Sequence, residues 1–397
     1  MGPQPWVAAA AIAALAAVVA VLALSTEVLT PSHSNFGNPW DHHKYIYLAE
    51  HGPGSLHLAP FGWRLGVPTV VSFLPVGTEV GFRLVAAASV FAAAMGIYSL
   101  SRVHGFDRLM SAGAVALYLS VPVAAQWLLY DFWLSDAAAF AIVIWVIVLV
   151  KRERLFWAAV LLVVGVLTKE SVILVGTLVY SLRAVRLVDW RALAAAVAVI
   201  APAAVTAMVL RLAIPALNTD AGYIEEIGKQ IPLNRFDDLA YTLVDQFGAF
   251  GADRLSIRAT FVTVPLLFIL TFGVGIVVLA AVGALDAPAV ALRYSPFVVV
   301  SLAQLLVARN DDRLLVLAAP ALVVLGLYGV AWLADRLRIA AAWFFLPAVA
   351  VLLGNLWSGV PRQMLWGDNL VWLGGLAAVV LAGSAWRAHT PITHHDL

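Results

Sequence analysis

Residues 31–68 read PSHSNFGNPWDHHKYIYLAEHGPGSLHLAPFGWRLGVP. The stretch holds five of the chain's nine histidines with Asp41, Lys44, Glu50 and Arg64, interleaved with Phe36, Trp40, Tyr45, Tyr47, Phe61 and Trp63. It follows an apolar run from Trp6 to about Ser25 and is the first place where polar chemistry can meet water. Almost everything around it is hydrocarbon. Of 397 residues, 63% are hydrophobic and only 12% are charged, too few charges to cover a water-facing surface. Long Ala/Val/Leu runs recur about every twenty to thirty residues, so the chain reads as an all-α polytopic membrane protein that holds this loop against a bilayer.

Outward from the loop, apolar windows fall near 6–25, 79–100, 109–128, 135–150, 155–168, 171–187, 192–213, 259–283, 295–308, 314–333, 339–356 and 369–386. They predict about twelve transmembrane helices, in the range 10–13, with 155–168 and 295–308 short enough to be half-spans or broken helices. The first window lacks a basic flank and exceeds a signal-peptide core, so it is expected to be a retained helix. No linker or low-complexity segment divides the chain, and residues 1–397 are expected to form one transmembrane domain.

The short loops SRVHGFDR, KRER, Arg183–Arg191, the loop at Arg293, ADRLR and the C-terminal tail are basic, which places them and both termini in the cytoplasm. Acidic residues gather on the other side, at Asp41, Asp131, Asp136, residues 220–253 and Asp311-Asp312. Two long loops, about 26–78 and 214–258, are therefore expected outside. The second contains a candidate surface helix near 236–247. The net charge of +1 says little, because charge is partitioned between the two sides. Absence of cysteine excludes disulfides, thiolate metal sites and a cysteine nucleophile. Twenty arginines against four lysines, with abundant alanine and valine, suggest a GC-rich bacterial genome and hence a bacterial plasma membrane. Nothing in the sequence points to nucleic acid.

Asn38-Pro39-Trp40-Asp41 is a helix-start signal, with Asn38 as N-cap and Asp41 at the third helical position. Asp41 either completes that cap or serves as a reactive carboxylate. On a helix over 39–51, Asp41, Tyr45, Leu48 and Ala49 share one face, giving an amphipathic helix at the interface. His42 with Asp41, or His43 with Glu50, are candidate metal ligands, although no HExxH or H-x-E motif fixes their geometry. Arg64 either snorkels to lipid phosphate or clamps the phosphate of a substrate. Lys169-Glu170 and Asp311-Asp312-Arg313 either reach water from helix ends or line a cavity. Asp131 is a second candidate acid, Asp136 after Ser135 marks a helix start, and the tryptophans form an interfacial belt.

Four short stretches share a family resemblance. Asp41 precedes Tyr45, Tyr47 and Ala49. Pro60-Phe61-Gly62-Trp63-Arg64-Leu65-Gly66-Val67-Pro68 forms a P-F-x-x-R-x-x-x-P turn, and Gly165-Val166-Leu167-Thr168-Lys169-Glu170 a G-x-x-T-K-E turn. Asn310-Asp311-Asp312-Arg313-Leu314-Leu315, with Ala319-Pro320, is similar to the start of a late family span, with Asp312 in place of a glutamate. Together they resemble the GT-C superfamily, integral-membrane glycosyltransferases that use dolichyl-phosphate-mannose-type donors.

The resemblance implies a GT-C-like fold and transfer of a hexosyl or pentosyl group from a polyprenyl-phosphate sugar to a glycan, lipid or protein acceptor of the cell envelope. Asp41 would be the general base, with Asp131 and Asp312 as secondary acids. Arg64, Lys169 and Arg313 would stabilise the leaving phosphate, with Glu170, His42 and Tyr45 lining the site. A Mg²⁺ or Mn²⁺ ion bridging the phosphate, held by Asp41 and His42, is compatible with these residues. A transporter or lipid flippase predicts charges buried mid-span and interrupted helices in two matching halves. A scaffold protein leaves the polar loops without a purpose.

Overall fold

The computed structural model describes residues 5–29, 41–214, 262–306, 311–359 and 366–389. Among them the chain forms α-helices and short 3-10 turns, with no strand element. The helices are α1 (Pro5–Ser25), α2 (Asp41–His51), α3 (Gly66–Ser72), α4 (Thr78–Val103), α5 (Arg108–Ser120), α6 (Gln126–Tyr130), α7 (Asp136–Lys151), α8 (Leu155–Thr168), α9 (Gly176–Arg183) and α10 (Trp190–Ala213). They continue as α11 (Val264–Phe272), α12 (Val274–Asp286), α13 (Pro288–Ala303), α14 (Asp311–Leu315), α15 (Ala319–Leu337), α16 (Leu346–Ser358) and α17 (Trp366–His389). The expected helix start at Asn38 and the candidate helix near 236–247 lie outside the described residues.

Helix α7 is apolar on every side, and such a helix is stable only where it is covered all round. Ala139, Phe140, Val143, Ile144, Ile147 and Val148 are all buried against its neighbours, principally α4 and α8. Gly96 of α4 lets the α7 side chains Ile144 and Trp145 approach, and the Trp145 indole donates a 2.8 Å hydrogen bond to the Ala92 carbonyl. Peripheral helices show the opposite pattern. On α10, Leu193, Val197, Val205 and Val209 are exposed, an apolar surface that suits a hydrocarbon surround and not water. The chain is an integral membrane protein.

Among the described residues, five helical segments are individually long and apolar enough to span a bilayer: Thr78–Val103, Trp190–Ala213, Arg313–Leu337, Ala341–Ser358 and Gly367–Ala385. A sixth is the pair α11 and α12, bent by 108° at Gly273. That bend needs glycine, because Gly273 has φ +81°. The second half is capped across the fold, where the Val274 amide donates to the Asn369 side chain of α17 at 2.8 Å. Ala10–Ser25, Leu155–Thr168 and Pro288–Ala303 are apolar but shorter. Long helices therefore do not match the expected twelve spans one for one. Hydropathy windows register apolar length alone and are blind to the 3-10 turns at 122–124, 170–175 and 341–345 that break several windows into pieces.

The bundle has two chemically different ends. At one, Asp136, Lys169 and Arg313 meet, and the Leu29 amide bonds the Tyr130 carbonyl at 3.0 Å. At the other, His104 meets Tyr294 at 2.9 Å and Phe106 stacks edge-on against Tyr328, while Arg183 pairs with Glu153. Helices α12 and α15 cross between them at the closest approach that backbones allow. A Cβ on Gly283 would enter the Leu325 carbonyl, and one on Gly329 would enter the Leu279 carbonyl. Gly283→Leu is therefore expected to destabilise the protein by about 1–3 kcal/mol or more by overpacking. A thermal-unfolding midpoint in detergent equal to wild type would show that the crossing relaxes instead.

Candidate active site

Four chain segments, joined by Arg313 of α14, bring ionisable groups to one end of the bundle. The first is α2, where Lys44, Tyr45, Leu48 and Ala49 are buried and Asp41 is half-buried at the start. The expected shared face of Tyr45, Leu48 and Ala49 is the face that packs inward. Lys44 pairs with Asp41 one turn back at 3.5 Å, and its ammonium lies 3.9 Å from the centre of the Phe61 ring. Burial lowers the Lys44 pKa, with Asp41 opposing the shift and Arg64 adding to it.

The second segment is the aromatic turn at Phe61–Trp63, followed by Arg64. Gly66 lets this turn lie against α8, because a Cβ there would stand 2.6 Å from the Thr168 hydroxyl and 3.1 Å from its Cα. The approach brings Arg64 to the end of α8. Its guanidinium donates to Glu170 through Nε at 2.9 Å and through Nη2, and to the Tyr45 hydroxyl at 3.2 Å. The turn is also tied to α10, where the Trp63 indole donates to the Ile214 carbonyl at 3.0 Å.

The third segment is the G-x-x-T-K-E turn. Helix α8 stops at Thr168, Lys169 is extended (φ −160°, ψ 127°), and a 3-10 turn begins at Glu170. An extended residue sends successive side chains to opposite sides. Lys169 accordingly turns to Asp136 while Glu170 turns to Arg64. Arg64 holds the Glu170 carboxyl at about 2 against the upward push of burial.

The fourth segment, 131–136, supplies the hub. Asp136 at the start of α7 is 1% exposed and receives Lys169 on one oxygen and Arg313 on the other, the latter at 2.5 Å. Ser135, next to it, donates to the Tyr45 hydroxyl at 3.2 Å. One set of hydrogen bonds thus links Glu170, Arg64, Tyr45 and Ser135, and the next residue, Asp136, carries the second set with Lys169 and Arg313. Asp136 was readable only as a helix start. Its partners lie 33 and 177 residues away, and the one local signal was an acid at the mouth of an all-apolar helix.

The predicted residues Arg64, Tyr45, Lys169, Glu170 and Arg313 are therefore in contact with one another or with Asp136. Asp41 and Asp131 lie within electrostatic reach of Arg313. His42 is buried on α2 against the His43 ring. The side chain of Asp312 lies outside the described residues. Among the described residues no group of three or more His, Asp or Glu side chains could hold a metal ion. Two buried polar atoms of the cluster, Asp131 Oδ1 and Arg313 Nε, have no hydrogen-bond partner.

No protein-family model matches this chain, and no curated protein matches it by sequence. Solved structures do match by shape. The Archaeoglobus fulgidus oligosaccharyltransferase in its apo form is 12% identical, with a TM-score of 0.50 over 94% of this chain and 56% of that one. The archaeal oligosaccharyltransferase AglB from Archaeoglobus fulgidus, in complex with an inhibitory peptide and a dolichol-phosphate, is 11% identical with the same TM-score and coverage. The likeness is one of fold. This chain spans just over half the length of those proteins. The expected polytopic helical fold is thus shared with these solved structures.

Burial raises the Asp131 pKa to about 7, with Asp136 and Asp41 adding and Arg313 opposing. Between the ordinary 3.8 and about 7 the folded chain holds a proton that the unfolded chain releases, so this group's contribution to stability falls as pH rises through that window. Asp131→Asn should gain thermal stability relative to wild type across the window and then level off. A pH-independent difference would refute the assignment. Asp136→Asn should cost about 3–5 kcal/mol, because two buried cations then lose their only shared carboxylate. An unfolding midpoint within error of wild type would show that solvent reaches them.

Proposed function

We propose that this protein is a membrane glycosyltransferase that moves a sugar from a polyprenyl-phosphate-linked donor to a glycan, lipid or protein acceptor. The observation that carries the reading is the convergence of Arg64, Lys169 and Arg313 at one end of the bundle, two of them sharing the single carboxylate of Asp136. Counting Lys44, four cations face Asp41, Asp131, Asp136 and Glu170. Below about pH 7, protonation of Asp131 leaves these eight groups one positive charge in excess. That excess, together with the unpartnered Arg313 Nε, suits a phosphate that gains negative charge as it leaves. A neighbour of the same fold is seen with a dolichol-phosphate, which supports the donor class.

In this reading an acceptor hydroxyl or amide attacks the anomeric carbon as the bond from that carbon to the phosphate oxygen breaks. The leaving polyprenyl phosphate keeps the bonding pair and is met by Arg313 and Lys169. Asp41, half-buried beside Lys44, takes the acceptor's proton, and configuration inverts at the sugar. Tyr45 and Glu170 hold Arg64 in place. The reaction is assigned to the extracytoplasmic face, the side opposite the basic loops. A transporter would call for two matching halves, whereas the sharply bent pair at Gly273 has no counterpart of the same kind among the described residues.

The test is transfer by purified protein in lipid, using a panel of radiolabelled polyprenyl-phosphate sugars and a membrane extract as acceptor source. Wild type should transfer one of these sugars, and Asp41→Asn should lose about two to four orders of magnitude in rate with an unchanged unfolding midpoint. Undiminished transfer by Asp41→Asn would reduce Asp41 to a helix cap and move the base to Asp131. Substrate-dependent uptake into vesicles without transfer would replace the enzyme with a transporter.

A further inference from the structure

A cavity in the described fold lies far from the polar cluster. It is a groove of about 810 Å³ between the 338–347 turn, α16 and α17, lined among others by Arg338, Trp343, Pro347, Gly375, Ala378 and Ala382. Its floor is apolar, and small residues on α17 keep it open. Pro347 packs directly where a Cβ on Gly375 would stand, at 2.6 Å. Arg338 is its one charged lining residue, an exposed side chain just past the last turn of α15, with exposed Arg336 two residues earlier. The indole of Trp343, 55% exposed, stands at the same end.

Three lengths place this groove in the membrane. The span Arg313–Leu337 has 25 residues, about 36 Å at 1.5 Å per residue, so Arg338 and Arg313 mark opposite ends of the protein. The lining on α17 runs over residues 371–383, about 18 Å of helix. That is close to half of a hydrocarbon core of about 30 Å, the depth of one leaflet. A trough of one-leaflet depth, apolar along its length and basic with an aromatic at its interfacial end, has the shape and charge of a lipid.

We propose that this groove is a binding site for an anionic phospholipid of the leaflet on the basic-loop side, its acyl chains along α17 and its phosphate on Arg338. A guanidinium carries five N–H donors in a fixed fork, so Arg338 can hold a protein partner and a phosphate together. Trp343 at headgroup depth covers the glycerol region. The donor of the transferase reading is a different ligand, because its phosphate belongs at the Arg313 end. The inference does not depend on that reading.

Native mass spectrometry of the full chain, released from nanodiscs of mixed phosphatidylglycerol and phosphatidylcholine, tests it. Wild type should retain phosphatidylglycerol several-fold over phosphatidylcholine and should gain thermal stability from it but not from inorganic phosphate. Arg338→Gln should bring the retention ratio to about one, and Ala382→Phe, which fills the groove, should remove retained lipid of either kind. Both should keep the wild-type unfolding midpoint in lipid-free detergent, and if Ala382→Phe does not fold, the Arg338→Gln ratio decides alone. Equal retention of the two lipids by wild type, or a ratio unmoved in Arg338→Gln, would overturn the proposal. So would an equal thermal shift from inorganic phosphate. A dimer that Ala382→Phe disperses while lipid stays bound would assign the face to a second copy of the chain.

Discussion

The ion pairs of Asp136 with Lys169 and Arg313 hold the polar end of the bundle together. Taking charges out of water costs several kcal/mol per ion even after relaxation, and attraction offsets this only where geometry is good and the remaining polar atoms are satisfied. Asp136 is almost fully enclosed, and both its oxygens are used. Its partners are not saturated to the same degree, since the Arg313 Nε–H is buried without an acceptor. The carboxylate is thus served completely while the cations retain unused donors. Such an imbalance costs stability and is tolerated where an anionic ligand completes the set.

The helices around this hub are short because they must end at it. Helix α8 stops at Thr168, α7 begins at Asp136, and α15 is led in by a five-residue helix and a 3-10 turn. A helix ending inside a bilayer leaves backbone groups unpaired, which is tolerable only inside protein or against a polar cavity. The 3-10 geometry of residues 170–175 and the extended Lys169 direct side chains and backbone toward that polar interior. Breaking the helices and gathering the charges are therefore one arrangement. An unbroken helix through Lys169 would turn Lys169 and Glu170 only about 100° apart and could not serve two opposite partners.

Much of this was legible because charge is scarce in the sequence. With 12% charged residues, any cation or acid at the polar end of an apolar run stands out, as Arg64, Lys169, Glu170 and Arg313 do. Their roles in a site were implied by the family resemblance of the stretches that carry them. Tyr45 followed from helical spacing. Asp136 was not found, because a carboxylate after serine at the head of an apolar run has the local pattern of a cap, and caps are far commoner than hubs. Lys44 was passed over for a similar reason. A lysine on a short amphipathic helix reads as solvated, and only the fold places it over Phe61 with 6% exposure. The bend at Gly273 was likewise silent, since glycine inside an apolar run does not lower its hydropathy.

The two ends of the molecule solve different problems with the same residue type. At the polar end arginines are buried, and each is held by a carboxylate: Arg64 by Glu170 and Arg313 by Asp136. At the other end Arg336 and Arg338 are exposed beside apolar surface, where a guanidinium meets lipid phosphate at the interface. Buried paired arginine fixes geometry, because removing either partner leaves a charge stranded in low dielectric. Exposed arginine fixes depth, because it resists being drawn into hydrocarbon. A rigid polar cluster on a bundle whose depth is set from the opposite face stays at a constant height relative to the bilayer. A lipid-tethered substrate, whose reactive phosphate is confined to that height, requires the same constancy of whatever meets it.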